Sequence, residues 1–259
     1  MSLVDSLEIG RINLQVLPTK EVAGAVAAKH GASLIRQAIA ERGEARVVFA
    51  AAASQFEMFA HLVAEPGVDW SCVTAFHLDE YIGLSADHPS SFQRFLKERF
   101  CKHLSIPLRA FHFLSGEEDS GAECRRVGRL IEQGPIDVAF VGIGENGHLA
   151  FNDPPADFLT EVPYHVVELD EACRKQQYNE GWFETLDRVP RQAISMTIQQ
   201  VMSCQAIICT VLDDRKAAAV KQALTGDVAP ACPASILQLH ENVHIYLDRP
   251  AASLLAEGR

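Results

Sequence analysis

The chain has 259 residues, 48% of them hydrophobic and 22% charged, which is the composition of a folded globular protein with one sizeable core. Its formal net charge of −11, with no basic stripe, excludes a general grip on nucleic-acid phosphates. A few focused cations would still serve a small anionic ligand. No apolar run approaches the roughly 18 residues a membrane span needs, and the N-terminus lacks the basic-then-apolar order of a signal peptide. Ile12, Leu14 and Val16 alternate with polar residues and predict a short strand. Pro18-Thr19 then opens a helix from Lys20 to about Ala40 that Gly43 stops. Arg46 to Ala53 (RVVFAAAA) reads as a strand buried on both faces, followed after Ser54 by a helix over 55–64. Val73 to Leu78 is a strand ending at Asp79-Glu80, and Ser90 to His103 is a helix. A helix over 123–132 leads into the strand Ile136 to Val141. Strands over 164–169 and 206–212, a helix over 213–224 and a last strand over 243–247 complete the pattern.

No repeat, low-complexity tract or flexible linker divides the chain, so residues 1–259 read as a single domain. Apolar strands alternating with amphipathic helices predict the α/β class: a Rossmann-like, doubly wound, mostly parallel sheet with helices on both faces. Ligands of such sheets sit beyond the carboxyl ends of the strands. That rule directs 53–54, 79–80 and 144–153 toward one crevice. Seven cysteines form no CxxC pair and lie among apolar neighbours, the pattern of buried thiols in a reducing compartment, so the cytoplasm is the expected location.

Two motifs promise more than their context supports. Gly142, Gly144 and Gly147 match GxGxxG after a strand, but Pro154-Pro155 follow too soon for the long helix a dinucleotide site requires. His240 and His244 match HExxH, yet LQLHENVHIYLD alternates like a strand, whereas zinc binding needs both histidines on one helical face. No metal and no organic cofactor are therefore expected.

The chemistry concentrates in two strand-end segments, HLDEYIGL (77–84) and GIGENGHLAFNDP (142–154). A carboxylate at the mouth of a sheet can act as a general base, and a histidine on a glycine-rich turn can move protons to and from oxygen. Either residue alone is most simply a cap or a satisfied loop side chain. Together the two segments resemble the hallmarks of the glucosamine-6-phosphate deaminase/isomerase family. The stretch HPSSFQRFLKERF and the tail PASILQLHENVHIYLDRPAASLL fit it too, and the likeness covers nearly the whole chain. The related 6-phosphogluconolactonases share the G-x-G-x-DGH core but continue differently where this chain has Ala150-Phe151-Asn152-Asp153-Pro154.

The resemblance implies roles. Asp79 matches the base that moves a proton between C2 and C1 of the open-chain sugar. His148 matches the residue that assists ring opening. Asp153 matches the carboxylate that orients it, and Asn146 a neighbouring Asp/Asn position. Ser54, Arg174 (the arginine on the family's mobile lid) and Lys216 match phosphate ligands, apt because guanidinium and ammonium groups complement a phosphate dianion. Three departures stand out. The family's T-G-G-T phosphate loop reads Ala51-Ala52-Ala53-Ser54 here, Asp153 is one methylene short of the usual glutamate, and Asn146 carries no charge. Alanine resists positive φ, so a reshaped loop is expected. The implied function is isomerisation with deamination of an amino-hexose 6-phosphate, a small-molecule sugar-phosphate substrate, with homo-oligomerisation left open. The alternatives are a lactonase or another sugar-phosphate isomerase, and a non-catalytic sugar-phosphate sensor. The sensor is disfavoured because the chain opens on a strand and keeps Asp79 and His148.

Overall fold

Thr19 launches the first helix, its hydroxyl accepting the Val22 N–H at 3.4 Å, and helix α1 (Lys20–Arg42) ends at Gly43 in the left-handed region. Ala23, Ala27, Ala28 and Ala32 bring α1 close to the sheet below it. The computed structural model describes residues 5–9, 11–117 and 119–255. Strands β1 (Asp5–Ile9), β2 (Ile12–Leu17), β3 (Ala45–Phe49), β4 (Val73–His77), β6 (Ala110–His112), β7 (Val138–Val141), β10 (Ile207–Val211) and β11 (Val243–Asp248) form one sheet in the order β1-β2-β11-β10-β7-β3-β4-β6. Only β1 runs antiparallel, paired with β2; the other seven strands are parallel.

Period-two alternation inside these apolar strands feeds two cores. Val47, Phe49, Val138, Phe140 and Ile208 join α1, α2 (Phe56–Leu62) and α3 (Phe92–Arg99) on one face. Val48, Ala139, Val141, Ile207 and Cys209 join α4 (Ser120–Ile131), α6 (Ile198–Met202) and α7 (Ala217–Thr225) on the other. Helices therefore cover both faces, and strands such as β3 are buried at every position, which explains their continuous apolar sequence.

The expected strand over 164–169 forms, but not in the main sheet. β8 (Tyr164–Glu168) pairs antiparallel with β9 (Gln192–Met196), which pairs antiparallel with β5 (Asp79–Tyr81). Its residues alternate between buried and more open positions, as suits a strand covered on one face. The expected strand over 46–53 stops at Phe49, because Ala50 to Ala53 leave the sheet. β3 and β7 are neighbours, and the chain leaves β3 toward β4 on one side and β7 toward β10 on the other. Their carboxyl ends thus flank the topological switch point, where ligands of doubly wound sheets bind.

Candidate active site

Asp79 stands where the chain leaves one sheet for the other. Leu78 still donates its N–H to Phe49 O at 3.1 Å, and Asp79 then pairs with Ser195 in the small sheet. The bend buries the Asp79 carboxyl and leaves its Oδ1 without a hydrogen-bond partner. Burial, reinforced by the charge of Glu80, pushes its pKa well above the carboxylate range. A buried carboxyl that no donor holds in the ionised state is disposed to accept a proton.

Glu80, its neighbour, is committed elsewhere. Oε1 accepts the N–H groups of Tyr81 (2.9 Å) and Phe92 (3.1 Å); Oε2 accepts the Ser91 hydroxyl and the Gln93 N–H, both at 2.8 Å. It thereby caps the start of α3. Burial raises its pKa to about 6 against the pull of these four donors.

The second segment is a tight turn, as the early prolines require. Gly147 adopts φ +83°, Gly147 N–H reaches Gly144 O at 3.0 Å, and Gly144 N–H reaches His148 O at 3.0 Å. The imidazole of His148 lies directly on Gly144: a Cβ there would sit 2.3 Å from its Cε1 and Nε2. Glycine is thus required by close approach rather than by a nucleotide. Ala150 follows at φ +52°, a conformation that costs an alanine about 1–2 kcal/mol and sits at the site, where such strain is commonly held.

Asn146, His148 and Asp153 form one unit. Asn146 Oδ1 accepts the His148 N–H at 3.0 Å, and its amide donates to Asp153 Oδ1 at 2.9 Å and to Asp170 Oδ2 at 3.2 Å. His148 Nδ1 lies 3.1 Å from Asp153 Oδ1. The ring nitrogen is not aimed along that line well enough to count as a fully formed hydrogen bond. Asp153 Oδ2 accepts the Asp170 N–H at 2.9 Å. Burial raises the Asp153 pKa, but His148, Asn146 and Asp170 outweigh it and hold the carboxyl below its ordinary value. The shorter side chain therefore still reaches its histidine.

Asp79 and His148 line a single cleft with Ala50 to Ser54, Gly142 to Gly144 and Lys216. Its cover is α5 (Glu171–Asn179) and the residue after it, which contribute Gln176, Gln177 and Glu180. The cleft encloses about 60 Å³, room for a few waters and not for a sugar. The alanine loop is ordinary backbone: Ala52 is extended and 53–55 form a 3-10 turn, with no residue of the loop at positive φ. Ser54 Oγ lines the cleft and accepts the Leu212 N–H at 3.3 Å.

Of the three expected phosphate ligands, Ser54 and Lys216 come together and Arg174 does not join them. The Arg174 guanidinium donates to Leu186 O (2.9 Å) and Val189 O (3.1 Å) and stays outside the cleft lining. Two carbonyls already fix the fork geometry that a phosphate would use. Three lining residues, Gln176, Gln177 and Glu180, belong to no motif of the sequence.

His148, Asp153 and Cys173 bring potential metal-ligand atoms within 4.8 Å of one another. Burial first, then the charges of Asp153 and Asp170, push the Cys173 thiol well above its ordinary value. In the HENVH segment, His244 belongs to β11 and His240 faces the Cys204 carbonyl at 2.8 Å, as the turn-into-strand reading expects.

The switch-point cleft, with its unpartnered carboxyl and its histidine–carboxylate pair, is that of an enzyme equipped for proton transfer, and sequence comparison specifies the family. The chain belongs to the glucosamine-6-phosphate isomerase/6-phosphogluconolactonase family, whose sequence model matches residues 18–246. A glucosamine-6-phosphate deaminase of Thermoanaerobacter sp. (strain X514) is 36% identical over 234 residues, covering 88% of this chain and 91% of that one. Glucosamine-6-phosphate deaminase 1 of Bacillus subtilis (strain 168) is 40% identical over 184 residues, 70% of this chain and 74% of its own. The solved structure of a monomeric glucosamine-6-phosphate deaminase superposes with a TM-score of 0.85 at 33% identity, covering 93% and 99% of the two chains. A 6-phosphogluconolactonase from Thermotoga maritima, at 14% identity and a TM-score of 0.74 over 92% and 99%, shares the fold. No helix among the described residues is long and apolar enough to cross a membrane.

Proposed function

We propose that this chain catalyses aldose–ketose isomerisation with deamination of an amino-hexose 6-phosphate: glucosamine 6-phosphate to fructose 6-phosphate and ammonia, the substrate for which its relatives are named. The observation that carries the reading is one cleft lined by an unpartnered buried carboxyl, Asp79, and by the His148–Asp153–Asn146 unit. His148, steadied by Asp153, passes a proton to the ring oxygen as the hemiacetal opens. Asp79 then takes the C2 proton of the open-chain sugar, giving an enolamine, and returns it to C1. The resulting C2 iminium adds water and expels ammonia, leaving the ketose. A positioned base and acid suffice for these transfers. Ser54 and Lys216 face the C6 end of the sugar.

The same reading treats residues 1–259 as one catalytic unit acting in the cytoplasm, where seven unpaired thiols remain reduced. The test is an ammonia-release assay across glucosamine, galactosamine and mannosamine 6-phosphates and their N-acetyl forms, with 6-phosphogluconolactone hydrolysis measured alongside. Ammonia and ketose in equal amounts from one amino sugar support the reading. Lactone hydrolysis without ammonia release overturns it.

A further inference from the structure

Asp79 and His148 come from two separate segments, and one dipeptide of β9 grips both. On the Asp79 side, Ser195 pairs with Asp79 across the small sheet, and the Met196 N–H donates to Leu78 O at 2.9 Å. On the His148 side, the Ser195 hydroxyl accepts the Phe151 N–H at 3.0 Å and the Asn152 amide at 3.4 Å, and Met196 O accepts the same amide at 2.8 Å. The hydroxyl gives its own proton to Met196 O at 3.1 Å. A hydroxyl carries one proton and two lone pairs, so Ser195 has no capacity left over. It is fully buried, between the apolar Ile194 and Met196.

What Ser195 holds is a strained turn. Asn152 gives Leu149 O both its backbone N–H at 3.2 Å and its side-chain amide at 2.8 Å, and the turn so closed contains Ala150 at φ +52°. An alanine keeps such a φ only where its surroundings over-determine it. The Phe151 N–H, the next donor along the chain, is where Ser195 pins it. His148 lies two residues before Ala150. Relaxation of Ala150 would turn the chain about that residue and carry the imidazole off its seat on Gly144 and away from Asp153. Ser195 itself stays outside the cleft lining.

We propose that Ser195 is a positioning residue for the proton transfers: through the Phe151 N–H and the strained Ala150, its hydroxyl fixes the His148 turn relative to Asp79. The inference rests on the amino-sugar deaminase reading and adds a residue to its machinery. An alanine at residue 195 leaves the buried Phe151 N–H without its acceptor. That is a costly state, which the turn escapes by moving.

The experiment measures kcat and KM for ammonia release from glucosamine 6-phosphate in the wild type, Ser195→Ala, Ser195→Thr, Gly144→Ala and the double variant Ser195→Ala/Gly144→Ala, with folding checked by circular dichroism. Ser195→Ala should lower kcat by roughly 10- to 100-fold, the scale of a displacement of up to about 1 Å at a reacting group, with KM little changed because the sugar's own contacts are intact. Ser195→Thr, which keeps a hydroxyl, should recover part of that loss. The double variant should lose less than the product of the two single losses, because both act on the placement of one imidazole. Where Ser195→Ala does not fold, Ser195→Cys, with similar bulk and only a weak acceptor, takes its place under the same outcomes. A folded variant with wild-type kcat overturns the proposal, as does a rise in KM alone, a threonine variant no better than alanine, or losses that multiply in full. Absence of ammonia release from the wild type with every amino sugar is failure of the deaminase reading instead. The NMR signal of the His148 ring, assigned by its loss in His148→Gln, then decides the role of Ser195: it should move in Ser195→Ala and return in Ser195→Thr, and a signal unmoved by the alanine refutes the proposal.

Discussion

Gly144→Ala should disable the enzyme through a single methyl group. A Cβ at residue 144 would lie 2.3 Å from Cε1 and Nε2 of His148 and 2.5 Å from Cδ2. Unstrained contacts rest at about 3.5–4.0 Å, so the imidazole must withdraw by about 1 Å. It has little freedom to do so, with Nδ1 already 3.1 Å from Asp153 and the Phe151 ring at a centroid distance of 6.3 Å. A misplacement of about 1 Å at a reacting group is worth roughly 10²-fold in rate, and overpacking typically costs about 1–3 kcal/mol of stability. Gly142→Ala is the control, because its added carbon meets Thr210 O at 3.4 Å and Gln55 Nε2 at 3.5 Å, ordinary contacts. Ammonia release at saturating and limiting sugar, with urea melts of each variant, measures both quantities. Gly144→Ala should lose about two decades of kcat/KM, and Gly142→Ala far less. Equal activities in the two variants, with equal melts, would refute the idea that His148 is positioned by resting on Gly144.

Four further outcomes follow from the site. Asp79→Asn should fold normally, by circular dichroism, and lose about 10²–10⁴-fold in kcat; near-normal ammonia release removes Asp79 as the base. Because the base must be ionised and burial with Glu80 holds Asp79 well above the carboxylate range, kcat/KM should fall as pH drops through that raised value. Glu80→Gln, which removes the neighbouring charge, should move this acid limb to lower pH, and a wild-type limb near an ordinary carboxylate value of about 4 contradicts the account. Arg174→Ala should lower the melting temperature, since its fork ties Leu186 and Val189, and leave the preference between free and phosphorylated sugar unaltered; a narrowed preference would return Arg174 to the phosphate. Exhaustive chelation should leave turnover intact, because a positioned base and acid suffice for the proton transfers; loss of stoichiometric zinc together with activity would overturn that.

Most of the sheet was legible because its strands are apolar on both faces and its helices begin and end at readable signals such as Thr19 and Gly43. The pieces that escaped are short or one-sided. β5 and β6 have three residues each, too few to show a period. β9 was silent, although it supplies the partner that turns Asp79 toward the cleft. In the site, the sequence placed Asp79 and His148 at strand ends that the fold brings to one cleft, while the roles expected of them and of Asn146 and Asp153 came from the family resemblance. Glu180 was not legible, because it belongs to no motif and its partner Lys216 lies 36 residues away. Arg174 shows the converse: its residue type suits a phosphate, yet the carbonyls of Leu186 and Val189 reach it first.

The 60 Å³ cleft has a kinetic consequence. With Gln176, Gln177 and Glu180 in their present positions the space beside Asp79 is narrow, so α5 is the element whose displacement would widen it for a sugar. The helix hangs between Asp170, whose side chain caps it through Cys173 N–H and ties to Asn146, and Gly181 at φ +81°. Its departure strips donors from Glu180 and from the Asn146–Asp153 unit together. Admission of substrate and the order of the catalytic unit are therefore coupled through one helix.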